Sequence, residues 1–259
     1  MIDNDRKIIY TSKARCRDCY RCLRQCPVKA IRMSNGQAVV DDERCISCGT
    51  CVLECPQKAK AVRNDTGRAA SLIASGATVA LSVAPSFAAV FPGWMQKRLV
   101  SAVRKLGFRY VAETSIGAEI TAKLTADELK SRSGRPLICS ACPAVVSYIE
   151  KYKHDMVKNI ATVVSPMIAH AKLIKNKLGS DAKVVFAGPC IAKKSEAQRP
   201  EYEGIVDVVL TFAELSEWLA QENVNLSECE ESGFDDTPRS AARFFPLAGG
   251  LARTAMLET

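Results

Sequence analysis

Past Gly67 the chain alternates short, continuous apolar runs with longer stretches whose apolar residues recur at helical spacing. In GATVALSVAPSF, residues Ala77 to Val83 read as a buried strand that ends in a proline-containing loop. Residues 86–106 then carry a helical pattern around Phe87, Val90, Leu99 and Val103. FRYVAE reads as a second strand, with a helix from about Ser115 to Ser131. RPLICSACP reads as a third strand, with a helix near Val145 to Lys153 after it. A helix over Ser165 to Leu178 leads into a fourth strand in AKVVFAGPC. Strands and helices in alternation predict a parallel α/β sheet, whose binding crevice lies beyond the carboxyl ends of its strands.

The longest uncharged segment, Ala69 to Gln96, is broken by Gly76, Pro85, Pro92 and Gly93 before about 20 apolar residues accumulate. It is expected to be buried strand and loop, with no membrane partner. At 259 residues two folding units are expected. The start of the chain has no basic stretch leading into an apolar one, so a reducing, cytoplasmic setting is expected. There the 12 cysteines are better read as metal ligands than as disulfides, and with only 2 histidines the ligands are thiolates.

Eight of those cysteines fall in two copies of one pattern, CRDCYRCLRQCP at 16–27 and CISCGTCVLECP at 45–56. Cys16, Cys19, Cys22 and Cys26 recur as Cys45, Cys48, Cys51 and Cys55, each at an offset of 29. Zinc knuckles usually combine separated cysteine pairs, whereas here a third cysteine follows at once. C-x2-C-x2-C wraps a short loop around three corners of a cubane cluster, and the fourth thiolate must come from elsewhere. Residues 8–65 resemble the bacterial-type two-cluster ferredoxin module, in which the fourth cysteine of each run ligates the other cluster. That resemblance implies two 4Fe-4S clusters, one on Cys16, Cys19, Cys22 and Cys55, the other on Cys45, Cys48, Cys51 and Cys26. Pro27 and Pro56 bias Cys26 and Cys55 toward extended backbone, aimed away from their own loops.

The formal charge of +8 invites a nucleic-acid reading. Eight thiolates and two oxidised cubane cores would cancel roughly half of it, so nucleic acid is not expected as a partner. Arg15, Arg17, Arg21, Arg24 and Lys29 crowd the first repeat, where they would stabilise an anionic cluster, steer an acidic redox partner or form a solvated basic face.

Three more cysteines lie at the ends of the later predicted strands: Cys139 and Cys142 in CSACPAV, and Cys190 in AGPCIAKKSEA. CSACPAVVSYIEKY resembles the first active-site motif of iron-only (di-iron) hydrogenases, and AGPCIAKKSEA their second. VAPSF, ETSIGAEIT and LAGGLARTA resemble flanking segments of that family. The implied architecture is an α+β ferredoxin-like two-cluster module over 1–66, followed over 67–259 by an α/β hydrogenase-like domain with a parallel sheet, incomplete at its C-terminal end. The resemblance further implies an H-cluster, a 4Fe-4S cubane joined to a di-iron unit. Cys142 and Cys190 would be cubane ligands, Lys193 a hydrogen-bond donor to a cyanide of the di-iron unit, and Ala84, Pro85 and Ser86 the pocket wall.

Departures from the family pattern carry equal weight. Ala141 stands where the family has a proton-relaying cysteine. Leu124 stands near its first carboxylate, with only Asp127 or Glu128 following, and Gly188 replaces a methionine. The third cysteine motif, a C-x3-C pair, is missing, and Cys229 is read as a surface or incidental residue rather than a substitute. VAPSF and Ala141 point to the sensory branch, which implies a downstream signalling domain or a redox partner protein, with hydrogen or protons as substrate. The expected function is electron transfer through two clusters to an H-cluster-type site for hydrogen sensing or slow hydrogen turnover. The alternative is an electron carrier without hydrogen chemistry.

Overall fold

The computed structural model describes residues 7–132, 134 and 136–256, and the statements below concern those residues. The N-terminal stretch contains β1 (Ile9–Thr11), α1 (Arg21–Gln25), β2 (Ile31–Ser34), β3 (Gln37–Val40), α2 (Thr50–Leu53) and β4 (Lys60–Val62). Then come α3 (Thr66–Ala74), β5 (Val79–Val83), α4 (Phe87–Val90), α5 (Trp94–Lys105), β6 (Tyr110–Glu113), α6 (Ser115–Ser131) and α7 (Pro143–Tyr152). The remainder holds α8 (Pro166–Leu178), β7 (Lys183–Gly188), α9 (Ala192–Ala197), β8 (Val208–Thr211), α10 (Phe212–Gln221) and α11 (Gly250–Met256). These elements divide into two compact units. One comprises the residues up to Asn64 with Cys142–Lys158 and Cys190–Glu196. The other comprises Asp65–Ala141, Asn159–Pro189 and the residues from Ala197 onward.

In the first unit β1 pairs antiparallel with β4, and β2 with β3. Shifted by 29, β1 superposes on the β3 segment and the start of β2 on the start of β4. Each two-stranded sheet therefore takes one strand from each repeat, and the repeats interlock. Asn35 and Gly36, both left-handed (φ 51° and 68°), make the tight turn between β2 and β3 that the right-handed strand twist favours.

The second unit is built on a parallel sheet in the order β6-β5-β7-β8. All five residues of β5 are buried, because it has neighbours on both edges and is covered on both faces; its apolar run therefore shows no alternation. Ser82 is the polar exception, and its hydroxyl is hydrogen-bonded to Thr114 Oγ1 (2.7 Å) and His170 Nδ1 (2.8 Å). Helices α6 and α8 pack closely where Gly117 leaves no room for a side chain against the Pro166 carbonyl and His170.

Four expectations need correction. RPLIC forms no sheet strand: Ile138 makes only an isolated parallel bridge to Ile160, and residue 135 lies outside the described residues. Leu137 and Ile138 are only half-buried, unlike a parallel strand, and the sheet position beside β7 is filled by β8. The helix over 86–106 is two helices, α4 and α5, parted at Pro92 and Gly93, and Val90 is exposed. Cys142 therefore opens α7 from a turn, and only Cys190 follows a sheet strand. Cys229 is buried at 1% exposure, its thiol donating to the Asn225 carbonyl at 3.3 Å, and is a core residue. No helix among the described residues is long and apolar enough to cross a membrane.

Candidate metal centres

The duplicated cysteine loops share their backbone as well as their spacing. Left-handed residues come in pairs at the offset of 29: Asp18 and Ser47 (both φ 54°), Tyr20 and Gly49 (58° and 81°), Lys29 and Lys58 (51° and 49°). Five of these six are not glycine, a conformation that persists only where the surroundings over-determine it. Tyr20 and Gly49 precede α1 and α2, which carry the third cysteine of each run, Cys22 and Cys51. Cys26 is extended (φ −67°, ψ 116°) ahead of Pro27, as the proline requires.

Two cavities result. One is lined by Cys16, Cys19, Cys22 and, from the other repeat, Cys55. The second is lined by Cys45, Cys48, Cys51 and Cys26. The sulfurs thus sort into the two crossed sets of four. Among the described residues no three His, Cys, Asp or Glu side chains converge as a single-ion site. Three thiols from one closely spaced run and a fourth from the other repeat suit a cubane cluster better than zinc. Ala30 N–H donates to Cys26 Sγ and Ala59 N–H to Cys55 Sγ, both at 3.2 Å, so backbone dipoles face the crossing sulfurs of both sites. Ser47 N–H donates to Cys45 Sγ at 3.3 Å.

Burial pushes the Cys22 and Cys45 thiols up, and Cys51 up to about 12. Burial also acts upward on Cys55, but the backbone N–H groups of Lys60, Ala59 and Gln57 and the Lys60 ammonium outweigh it and hold that thiol below its ordinary value. Metal binding to such thiols must displace protons, which couples loading to folding.

The first unit also brings Cys142 and Cys190 near each other. Cys190 is raised chiefly by burial; the Lys193 ammonium and the N–H groups of Ala192 and Lys193 act against it, and Cys142 adds to it. Lys193 is buried with Glu196, Nζ to Oε2 at 2.7 Å, the side chains 10% and 6% exposed. Cys142 itself is exposed. A complete cubane needs two thiolates beyond this pair, and the other cysteines of the unit belong to the repeats. The described residues therefore supply half of such a site.

The remaining predicted site residues lie in the second unit. Ala84 N–H donates to the Ala187 carbonyl at 2.8 Å, which seats Ala84, Pro85 and Ser86 at the carboxyl end of the central strand, with Ala84 buried. Gly188, at the end of β7, has no room for a side chain: a Cβ there would lie 2.6 Å from the Phe186 ring, which fills the space. Ala141 follows the turn at Cys139, its N–H donating to Cys139 Sγ at 3.4 Å. Leu124 and Asp127 are exposed. Burial acts upward on the Glu128 carboxyl, but Thr162 N–H (2.9 Å) and hydroxyl (3.1 Å), with Arg132 (2.7 Å), hold it below its ordinary value. Both its oxygens are thereby occupied in bracing α6 against the Thr162 loop.

Crossed sets of four sulfurs on an interlocked duplication, beside a parallel-sheet unit, define an iron-sulfur protein. The chain belongs to the iron-only hydrogenase large-subunit family: residues 77–259 match its C-terminal domain, and residues 8–56 match the 4Fe-4S dicluster domain. It is 28% identical over 203 residues to iron hydrogenase 1 of Clostridium pasteurianum, covering 71% of this chain and 35% of that protein. It is also 37% identical over 121 residues to the cytosolic Fe-S cluster assembly factor NAR1 of Vanderwaltozyma polyspora, covering 46% of this chain and 22% of that one. Among solved structures, an FeFe-hydrogenase described in a study of stepwise H-cluster assembly superposes with a TM-score of 0.61 at 25% identity, over 67% of this chain and 51% of that one. The chain spans about a third of the length of the curated hydrogenases it matches.

Proposed function

We propose that the chain is a hydrogenase-like electron relay, passing single electrons through two 4Fe-4S clusters toward the Cys142–Cys190 pair in the service of hydrogen sensing or slow hydrogen turnover. The observation that carries this reading is the seat of the Cys190 loop on the second cysteine loop. Ile191 Cδ1 lies 2.7 Å from where a Cβ on Gly49 would sit, so the Ile191 side chain packs directly on the bare backbone between Cys48 and Cys51. The equivalent position of the first repeat holds an exposed tyrosine, Tyr20. Helix α7 supports the same order: Lys151 Nζ donates to the Cys45 carbonyl and Tyr152 Oη to that of Arg44, both at 2.7 Å. Its other end, about 15 Å away at 1.5 Å per residue, begins at Cys142. The relay then runs from the outer site (Cys16, Cys19, Cys22, Cys55) through the inner site (Cys26, Cys45, Cys48, Cys51) to Cys190, with a redox partner or a downstream signalling domain as its output. A reducing, cytoplasmic setting goes with this reading.

A second reading, electron transfer without hydrogen chemistry, is favoured by Ala141, whose methyl group cannot carry a proton. The similarity to an assembly factor adds cluster donation as a further outcome to be scored. The test is anaerobic reconstitution of the full-length gene product with iron, sulfide and the di-iron cofactor. About eight irons in the two repeats, infrared bands of carbonyl and cyanide, and cluster reduction under hydrogen are expected. Eight irons with no such bands and no response to hydrogen would leave the carrier reading standing, and transfer of clusters to an apo-acceptor would replace both.

A further inference from the structure

The two cluster sites are related by the duplication, so what differs between them is informative. Each strand residue lining the inner cavity has its counterpart at the offset of 29 in the wall of the outer one, which adds only Met33. Thr11 answers to Val40, and Lys60 to Ile31. These are cross-strand pairs in both cases: Thr11 faces Lys60 across β1 and β4, and Ile31 faces Val40 across β2 and β3. One site therefore has a polar pair where its twin has an apolar one. The Lys60 Nζ donates to Thr11 Oγ1 at 2.5 Å and to the Ala38 carbonyl at 3.0 Å, and the residue is only 4% exposed. No carboxylate pairs with it among the described residues. An ammonium buried among neutral partners is costly unless an anion stands close by, and the cysteine sulfurs that line the same cavity would be such anions once they hold a cluster.

We infer that Lys60 breaks the symmetry of the duplication: its buried charge makes the cluster on Cys16, Cys19, Cys22 and Cys55 easier to reduce than its twin. This rests on the two-cluster reading above. Reduction adds one negative charge to a cubane, and a fixed cation at the cavity wall stabilises the reduced form more than the oxidised one. The other levers on the potential are nearly matched by the duplication. Ala30 and Ala59 donate equally to the crossing sulfurs, and Cys19 and Cys48 are both exposed. Ser47 N–H on Cys45 and the Thr50 hydroxyl beside Cys48 (3.3 Å) favour the inner site, but they are neutral dipoles against a full charge. Lys151 also acts on Cys45, from an exposed position that water screens. The Lys60 charge is felt at Cys22 and Cys55 of the outer site and at Cys51 of the inner one, but Lys60 lines only the outer cavity, so the inner cluster shifts in the same sense by less. Electrons entering the module would then rest on the outer cluster, and the step from there to the inner site would be the uphill one of the relay.

Anaerobic redox titration of the reconstituted chain, followed by electron paramagnetic resonance after iron and sulfide have been counted, tests this. Two separate one-electron waves are expected. In Lys60→Gln, which keeps a hydrogen-bonding tip, and in Lys60→Met, the higher-potential wave should fall by about tenfold in its equilibrium constant, 59 mV for one electron. The lower wave should move less, and Lys60→Arg should keep the split. Full iron content with both waves unmoved, equally moved, or only the lower one moved overturns the inference. A single unsplit wave in the wild type does so too, and decides the matter if the neutral variants fail to load. A wild-type chain that takes up no cubane iron overturns the cluster reading and this inference with it.

Discussion

The two units of this chain are held together by different means. The sheet unit closes around Val79, Ala80, Leu81, Val83, Leu99, Val103, Val184 and Leu210, all at 0% exposure. The cysteine unit has a smaller core of Ile8, Ile9, Val28, Ala30, Ile31, Ala38, Val40 and Ile46, and three of the core residues beside them are Cys22, Cys26 and Cys51. Short strands, two single-turn helices and the added α7 and Cys190 segments bury too little apolar surface to hold left-handed non-glycine residues in place unaided. The sheet unit can afford to be folded by packing, whereas the cysteine unit needs its inorganic core.

The largest effect should therefore come from taking the iron away. Anaerobic chelation is expected to remove the brown colour and collapse the cysteine unit, because metal binding and folding are one free energy in such modules. Both tryptophans, Trp94 and Trp218, lie in the sheet unit, and Trp218 is 5% exposed with its ring edge-on to Phe108 at 5.9 Å. The blue-shifted emission of Trp218 should survive chelation. Its loss along with the iron would mean that the two units do not stand on separate footings.

Acid should act in the opposite sense, on the sheet unit. Burial of His170, at 1% exposure, pushes its imidazole from the ordinary 6.5 down to about 4, with the Asp236 carboxylate only partly offsetting this. The folded unit keeps His170 neutral while the unfolded chain takes up a proton below pH 6.5. Its contribution is thus fully present above that pH and is lost as pH falls toward 4. The cost is about 3 kcal/mol across the window, from 1.36 kcal/mol for each unit of displacement. Urea unfolding followed by Trp218 emission at pH 7, 5.5 and 4.5 should show that decline, and His170→Gln should flatten it. An unchanged slope in the variant would assign the acid sensitivity to other groups.

The contrast was unevenly written in the sequence. The eight cysteines were legible because a repeat offset survives any uncertainty about folding, and the helices over Ser115–Ser131 and 166–178 because their length gives a periodic pattern room to show. RPLIC failed as a strand because a short apolar run after a proline carries no information about whether a sheet edge is free for it. The opposite error hid β8: VDVVLT held an apolar run, and Thr211 with Glu214 three residues on is a capping-box signature that marks the helix after it. Thr11 and Lys60 were visible on aligning the repeats, since Val40 and Ile31 occupy the equivalent positions, but their burial was not. The meeting of Gly49 with Ile191 joins residues 142 positions apart, and no local pattern announces it.

The capping box also gives the finest test of the packing-held unit. Glu214 Oε2 accepts from Thr211 N–H at 2.6 Å and from the Thr211 hydroxyl at 2.7 Å, while its Oε1 accepts from Asp65 N–H at 2.8 Å. One buried carboxylate thus closes the start of α10 and fixes the chain where it enters α3. Thr211→Ala removes the cap alone and should cost about 1 kcal/mol. Glu214→Ala strands two buried N–H groups as well, and should cost about 2 kcal/mol. Both losses belong in the urea midpoint read from Trp218, with the iron content per chain unaltered. If the iron content falls together with that midpoint, the sheet is supporting the cluster unit, and the difference in how the two are held is one of degree.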